Sequence, residues 1–123
     1  MTRTPEDWSA LLVVYADMPV PSIRVLGLRG YVNALTAPDL EQILDGQLAA
    51  LPRALIIDLS ELVHLGSEGV QVLACGALRA GLDDIGFCLA GASHPIATVL
   101  RSSGLVEALD LHDTVEDALQ TYR

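Results

Sequence analysis

Residues 53–80 read RALIIDLSELVHLGSEGVQVLACGALRA, and the fold turns on how this stretch divides. Ala54 to Leu59 is apolar on successive residues except for Asp58, which suits a central strand covered on both faces. A polar loop is expected after Asp58, and Gly66-Ser67-Glu68-Gly69 opens a helical pattern that runs from Glu68 to Ala80. A strand-loop-helix unit of this kind gathers backbone N–H groups, a hydroxyl and a carboxylate at one exposed corner. Ser67 fits an N-cap, and Glu68 gains from the positive end of the helix. At 100° per residue, Val70, Leu73, Ala74, Ala77 and Leu78 share a broad face that should meet a sheet. Glu68, Val72, Cys75 and Arg79 fall opposite, an outward stripe less polar than solvation alone requires and therefore open to docking.

Outward from that stretch, strands and helices alternate. Leu11 to Ala16 and Ser22 to Leu28 read as two strands. Met18-Pro19-Val20-Pro21 between them resists regular pairing, because each proline lacks a donor, and points to a hairpin or an edge. Thr36 followed by Asp39 suggests an N-cap with reciprocal capping, with Pro38 tolerated in the first turn. The helix that follows turns Leu40, Ile43, Leu44 and Leu48 inward and Glu41, Gln42 and Asp45 toward water, and Leu51-Pro52 ends it. Ile85 to Ala90 repeats the strand character. A third helix runs from about Pro95 to Ser102 and stops at Gly104. Leu109-Asp110-Leu111 is a last short strand, and Thr114 with Asp117 repeats the capping signature before a final helix. The order β-β-α-β-α-β-α-β-α favours one mixed sheet with helices packed against it.

A chain of 123 residues suffices for one domain that buries roughly two thirds of its unfolded surface. Residues 1–10 are expected to form an extended or partly ordered N-terminal segment; Trp8 in it packs over a sheet edge or anchors a dimer. Sixteen carboxylates stand against seven arginines, with no lysine, and the net charge of -9 opposes approach to a phosphate backbone. Nucleic acid is therefore not expected as a partner. No apolar run approaches the length of a membrane span, and the opening MTRTPEDWSA mixes charges with proline. Direct membrane insertion is not expected, and the cytoplasm is the expected compartment.

Enzymatic chemistry finds little support. GxGxxG and GxxxxGK[ST] are both absent, and Gly27-Leu28-Arg29-Gly30 reads as a tight turn rather than a phosphate cradle. Ser67, His94 and Asp58 are the triad a hydrolase would have to use. GxSxG is missing, however, and His94 is accounted for as a first-turn residue after a cap at Ser93. His64, His94 and His112 lie in different segments, so no metal site is indicated. Cys88 reads as a buried free thiol, whereas Cys75 falls on the outward stripe. Neither a cofactor nor an enzymatic activity is expected.

The chain resembles the STAS family, the domain shared by bacterial anti-sigma factor antagonists and sulfate transporter tails. Gly30-Tyr31-Val32-Asn33 with Thr36-Ala37-Pro38 resembles the family's glycine-x-leucine-aspartate turn and threonine-alanine-proline helix start. Leu55 to Leu59 with Ser60 resembles its valine-leucine-aspartate-leucine-serine strand. His64-Leu65-Gly66-Ser67-Glu68-Gly69 falls on its aspartate-serine-serine-glycine or aspartate-serine-threonine-glycine signature. Val99-Leu100, Ser103-Gly104-Leu105 and Val115-Glu116-Asp117-Ala118-Leu119 resemble its later pattern. The resemblance covers nearly the whole chain and implies a single α/β STAS-like domain over residues 1–123, with a mixed sheet of about five strands and about four helices.

It also implies a switch rather than an enzyme. In the family, the unphosphorylated protein binds an anti-sigma factor that is also a serine kinase of GHKL type, and phosphorylation of the signature's second hydroxyl residue ends the interaction. Transferred here, the partner surface comprises Asn33, Thr36, Gly66, Ser67, Glu68, Val72, Cys75 and Arg79. Two residues depart from the pattern: Gly66 stands where the family has aspartate, and Glu68 at the phosphoacceptor position. Glutamate accepts no phosphoryl group and carries one charge against about -1.5 to -2 for phosphoserine. Three readings follow: Glu68 partially mimics the phosphorylated form, Glu68 is a plain acidic contact, or Ser67 is a displaced phosphorylation site. The plain contact asks least of a single carboxylate. The implied function is a regulatory protein-binding module that engages an anti-sigma factor or related regulator without conventional phosphorylation at position 68. The alternative is a structural or homo-oligomeric STAS-like subunit, a homodimer or part of a transporter-associated assembly.

Overall fold

Ala54 begins the middle strand of a five-stranded sheet in which Leu55, Ile56 and Ile57 are all fully buried, as an apolar run on successive residues requires. The computed structural model describes residues 12–104 and 109–122. In chain order its elements are β1 (Leu12–Val20), β2 (Ile23–Val32), α1 (Ala37–Ala49), β3 (Ala54–Leu65), α2 (Ser67–Leu82), β4 (Gly86–Ala90), α3 (His94–Ser102), β5 (Asp110–His112) and α4 (Val115–Tyr122). The strands lie in the order β1-β2-β3-β4-β5; β1 is antiparallel to β2 and every other pairing is parallel. The expected alternation and mixed sheet are thus present. The N-terminal segment 1–10 with Trp8, the strand residue Leu11 and the turn residue Leu105 lie outside the described residues.

Each face of the sheet carries its own core. Leu55, Ile57 and Leu59 point toward Leu40, Leu44 and Leu48 of α1, Val70 and Leu73 of α2, and Ile96 and Leu100 of α3. Ile23, Val25, Ile56 and Cys88 point the other way and meet Ala118 and Leu119 of α4. Pro19 sits in the edge strand, where the pairing with β2 shifts between Asp17 and Val20. An edge tolerates a residue with no N–H, and the irregularity absorbs it. Among the described residues, no helix is long and apolar enough to cross a membrane.

Several expectations need correction. The segment after Asp58 is not a loop: β3 continues to Leu65, paired with β2 alone once β4 has ended opposite Asp58 at Ala90. Two register shifts against β2 give β3 two extra residues, so that Leu59, Leu62 and Leu65 enter the core at intervals of three while Glu61, Val63 and His64 face solvent. A spacing of three does not match the two-residue period of a regular strand, and bulges produce it. Gly27 and Gly30 lie within β2 rather than in a turn. A Cβ on Gly27 would stand 2.1 Å from the Tyr15 ring, and Gly30 has φ 106°. The last strand is Asp110–His112, one residue later than expected. At α4 the expected cap is present, Asp117 N–H donating to Thr114 Oγ1 at 3.0 Å.

Candidate functional site

The long β3 determines where α2 begins. Gly66 N–H donates to the Val32 carbonyl at 2.8 Å, which ties the first residue after β3 to the end of β2. Gly69 then lies so close to both strands that a Cβ on it would stand 2.5 Å from Val32 Cγ1 and 2.6 Å from Leu65 Cδ1. The start of α2 is therefore held directly against the sheet ends. Gly66, not Ser67, is the N-cap, with φ -86° and ψ 174° and no side-chain cap hydrogen bond. This corrects the capping role expected of Ser67. Its hydroxyl lies in the first turn and makes no hydrogen bond among the described residues, because the helix starts one residue earlier than the pattern suggested.

Glu68 is exposed in the first turn of α2, where the helix dipole favours a carboxylate. Its Oε1 folds back over Gly66, 3.1 Å from the point a Cβ there would occupy, and His64 Nε2 is 3.6 Å from the same point.

The turn before α1 is built by side chains rather than by an ordinary cap. Asn33 Oδ1 accepts from the N–H groups of Leu35 at 2.9 Å and Thr36 at 3.1 Å. Thr36 Oγ1 donates to the Tyr31 carbonyl at 2.8 Å and accepts from Asn33 N–H at 2.9 Å. Thr36 precedes α1 as the N-cap but makes no side-chain cap bond to the helix, so its expected reciprocal capping with Asp39 is absent. Only 3% exposed, Thr36 shapes the turn from within, while Leu35 at its tip is 73% exposed.

The start of α2 forms a ridge between two grooves. On the α1 side, a groove of about 290 Å³ is lined by Ala37, Pro38, Glu41, Glu68, Val72 and Cys75 among others. On the α3 side, a groove of about 460 Å³ is lined by Ser67, Val70, Gln71, Thr98, Val99 and Ser102 among others. Gln71 borders both. The first groove continues toward Asp45 and Arg79, whose side chains form an ion pair at 2.7 Å between α1 and α2.

Of the expected surface, Glu68, Val72 and Cys75 converge on one groove and Ser67 on the other. Arg79 closes the far end with its charge already met by Asp45. Val72 is not outward: at 8% exposure it is covered where α1 packs beside α2, a neighbour that a single helical wheel does not contain. Leu78, assigned to the inward face, is 68% exposed. Cys75 is exposed, and Cys88 is buried. Glu41, Gln71 and Thr98 were not anticipated as groove residues. Glu41 was readable as a solvent-facing position, but nothing local indicated that α2 lies alongside it.

The far side of the sheet carries a separate polar group. Glu61 accepts from Arg29 and, at 3.2 Å, from the Tyr15 hydroxyl; the hydrogen bond from Arg29 holds the Glu61 carboxyl below the usual range, opposed by desolvation and helped by the Arg29 charge and the Tyr15 hydroxyl. Among the described residues, no three histidine, cysteine, aspartate or glutamate side chains gather where a metal could be held, and no hydrogen bond joins Ser67, His94 and Asp58. What the corner offers chemically is an exposed carboxylate on a positive helix end, flanked by two partly apolar clefts.

The fold and sequence are shared with known proteins. A family model described as the STAS domain matches residues 18–118. The anti-sigma-F factor antagonist RsfB of Mycobacterium tuberculosis is 31% identical over 101 residues, which is 82% of this chain and 82% of the relative. The crystal structure of an anti-sigma factor antagonist from Mycobacterium paratuberculosis is 30% identical, with a TM-score of 0.83 over 91% of this chain and 94% of that one. The Bacillus protein SpoIIAA in its unphosphorylated form is similar in fold, with a TM-score of 0.76 at 17% identity over 90% of this chain and 96% of its own.

Proposed function

The chain belongs to the STAS domain family, and from that membership we propose that it acts as an anti-sigma factor antagonist, binding an anti-sigma factor through the start of α2. The observation that carries the reading is Glu68: an exposed carboxylate on the first turn of a helix that is pinned to the sheet and flanked by two grooves. Binding there needs no reaction in the chain itself, so the protein works as a binding regulator. Ser67, Glu68 and Cys75 form the contact surface, with Val72 as a buried support. Asn33 and Thr36 hold the turn beside it, Gly66 makes room for the carboxylate, and Arg79 stiffens the far end.

Glu68 acts as a plain acidic contact. A GHKL-type kinase partner would find no phosphoacceptor at position 68, so release would follow from competition for the surface rather than from phosphorylation there. A cytoplasmic location suits such a partner. The transporter-associated alternative is the weaker fit, since the two relatives at 30 and 31% identity are both named as antagonists.

The test is a reconstituted release assay. Purified anti-sigma factors from the native cell are loaded with their sigma factors, and the chain is added without ATP. Release of sigma by the wild type, seen by gel filtration, supports the reading; no release from any of them refutes it. Mass spectrometry after incubation with ATP checks modification at Ser67, and sedimentation of the chain alone reads self-association.

A further inference from the structure

The groove between α1 and α2 has an apolar base and an acidic mouth. Ala37 and Val72, 4% and 8% exposed, form the base, and Glu41 and Glu68, both exposed, stand at the mouth on opposite helices. Neither carboxylate has a hydrogen bond or an ion pair among the described residues. The one cation at the groove's continuation, Arg79, is already held by Asp45 at 2.7 Å. At about 290 Å³ the groove falls at the lower limit of ligand pockets, roughly 300 Å³, a size suited to one long side chain.

We infer that this groove receives a single cationic side chain from the partner, an arginine in preference to a lysine, its methylenes along Ala37 and Val72 and its guanidinium between Glu41 and Glu68. The inference rests on the anti-sigma antagonist reading for the identity of the partner. The charge pattern carries it: two exposed carboxylates with no hydrogen bond or ion pair among the described residues line one groove from neighbouring helices, beside the buried Ala37 and Val72, in a chain of net charge -9, so attraction selects a cation and steers it in. A guanidinium presents five donors in a plane and is more weakly hydrated than an ammonium, which suits two carboxylates on separate elements. Long basic side chains lay their stems on apolar surface while the head stays at the polar mouth.

The test titrates the isotope-labelled full chain with N-acetyl-arginine methylamide and with its uncharged isostere, the citrulline analogue, following backbone amides by NMR. The expected result is saturable shifts at Glu41, Glu68, Gln71 and Val72 with arginine, absent with citrulline. Glu41→Gln and Glu68→Gln should each weaken the arginine response by about two- to fivefold, the size of one exposed charge pair. Equal responses to both probes, or shifts confined to other surfaces, overturn the inference. If an anti-sigma factor binds but the arginine probe leaves these amides unmoved, the inference fails and the antagonist reading stands. If the probe binds there and no anti-sigma factor does, the antagonist reading fails while the cation site stands.

Discussion

Glu68 Oε1 stands 3.1 Å from the position of a Cβ on Gly66, which couples the residue types at these two sites. Gly66 has φ -86° and ψ 174°, extended backbone that any residue can adopt, so glycine is not required there for conformational freedom. It leaves the space into which the carboxylate folds. An aspartate at 66, the residue of the family's signature, would bring a second negative group against the first. The residue at position 66 and the placement of the Glu68 carboxylate are thus linked through the space they share.

Gly66→Ser should separate stability from binding. Serine and glycine differ by only a few tenths of a kcal/mol as helix N-caps, so urea denaturation should show a change within about 0.5 kcal/mol. The added side chain displaces the Glu68 carboxylate, and anti-sigma affinity measured by calorimetry should fall severalfold. Unchanged affinity would show that the position of Glu68 is immaterial.

Gly69→Ala acts on the fold. Its Cβ would press on Val32 Cγ1 and Leu65 Cδ1 at 2.5 and 2.6 Å, and overpacking of this kind costs about 1–3 kcal/mol. Val32→Ala removes one of the two obstacles. A double-mutant cycle in denaturant should give a double variant more stable than the sum of the single losses implies; strict additivity would contradict the contact.

Thr36→Val replaces a buried hydroxyl that serves Tyr31 O and Asn33 N–H with a methyl of similar shape. Two backbone groups lose their hydroxyl partner, at an expected cost of about 1–3 kcal/mol. Thr36→Ser keeps the hydroxyl and should retain most of that stability. Equal losses in the two variants would show that the hydrogen bonds are not what matters.

The two cysteines should behave oppositely. Burial pushes the Cys88 thiol from its ordinary 9 up to about 11, so it stays protonated and shielded, whereas Cys75 is exposed. A thiol reagent should modify one cysteine in the folded protein and two in denaturant. The same shift has a pH consequence. Between pH 9 and about 11 the unfolded chain has lost this proton and the folded chain keeps it, so stability is intact below pH 9 and falls as pH rises through the window. Burial also raises the Tyr122 hydroxyl, which acts in the same direction. Cys88→Ala should flatten part of the alkaline decline seen in urea midpoints; an unaltered slope would count against the buried thiol as its source.

The element order and the sheet class were legible because they depend on local patterns. Leu40, Leu44 and Leu48 mark the inner face of α1 by spacing alone, and Thr114 with Asp117 marks the start of α4. The end of β3 was hidden because its bulges turn an alternation of two into a spacing of three at Leu59, Leu62 and Leu65. The site was legible at Ser67 and Glu68, which sit on a local strand-to-helix boundary. Val72 and Glu41 were misjudged or missed for one reason: their surroundings are set by α1 packing beside α2, a tertiary contact that neither helix encodes alone. Thr36 resembled a helix cap in sequence but bonds backward to Tyr31, since the turn of Asn33 competes for its hydroxyl.

The most direct measurement of the central claim is the affinity of the cognate anti-sigma factor for the wild type, Glu68→Ala and Glu68→Ser, without ATP. The account predicts that wild type binds, that Glu68→Ala weakens binding by about fivefold or more, as loss of a charged contact at an interface does, and that Glu68→Ser does not restore it. Equal affinity of all three proteins would contradict a binding surface centred on Glu68.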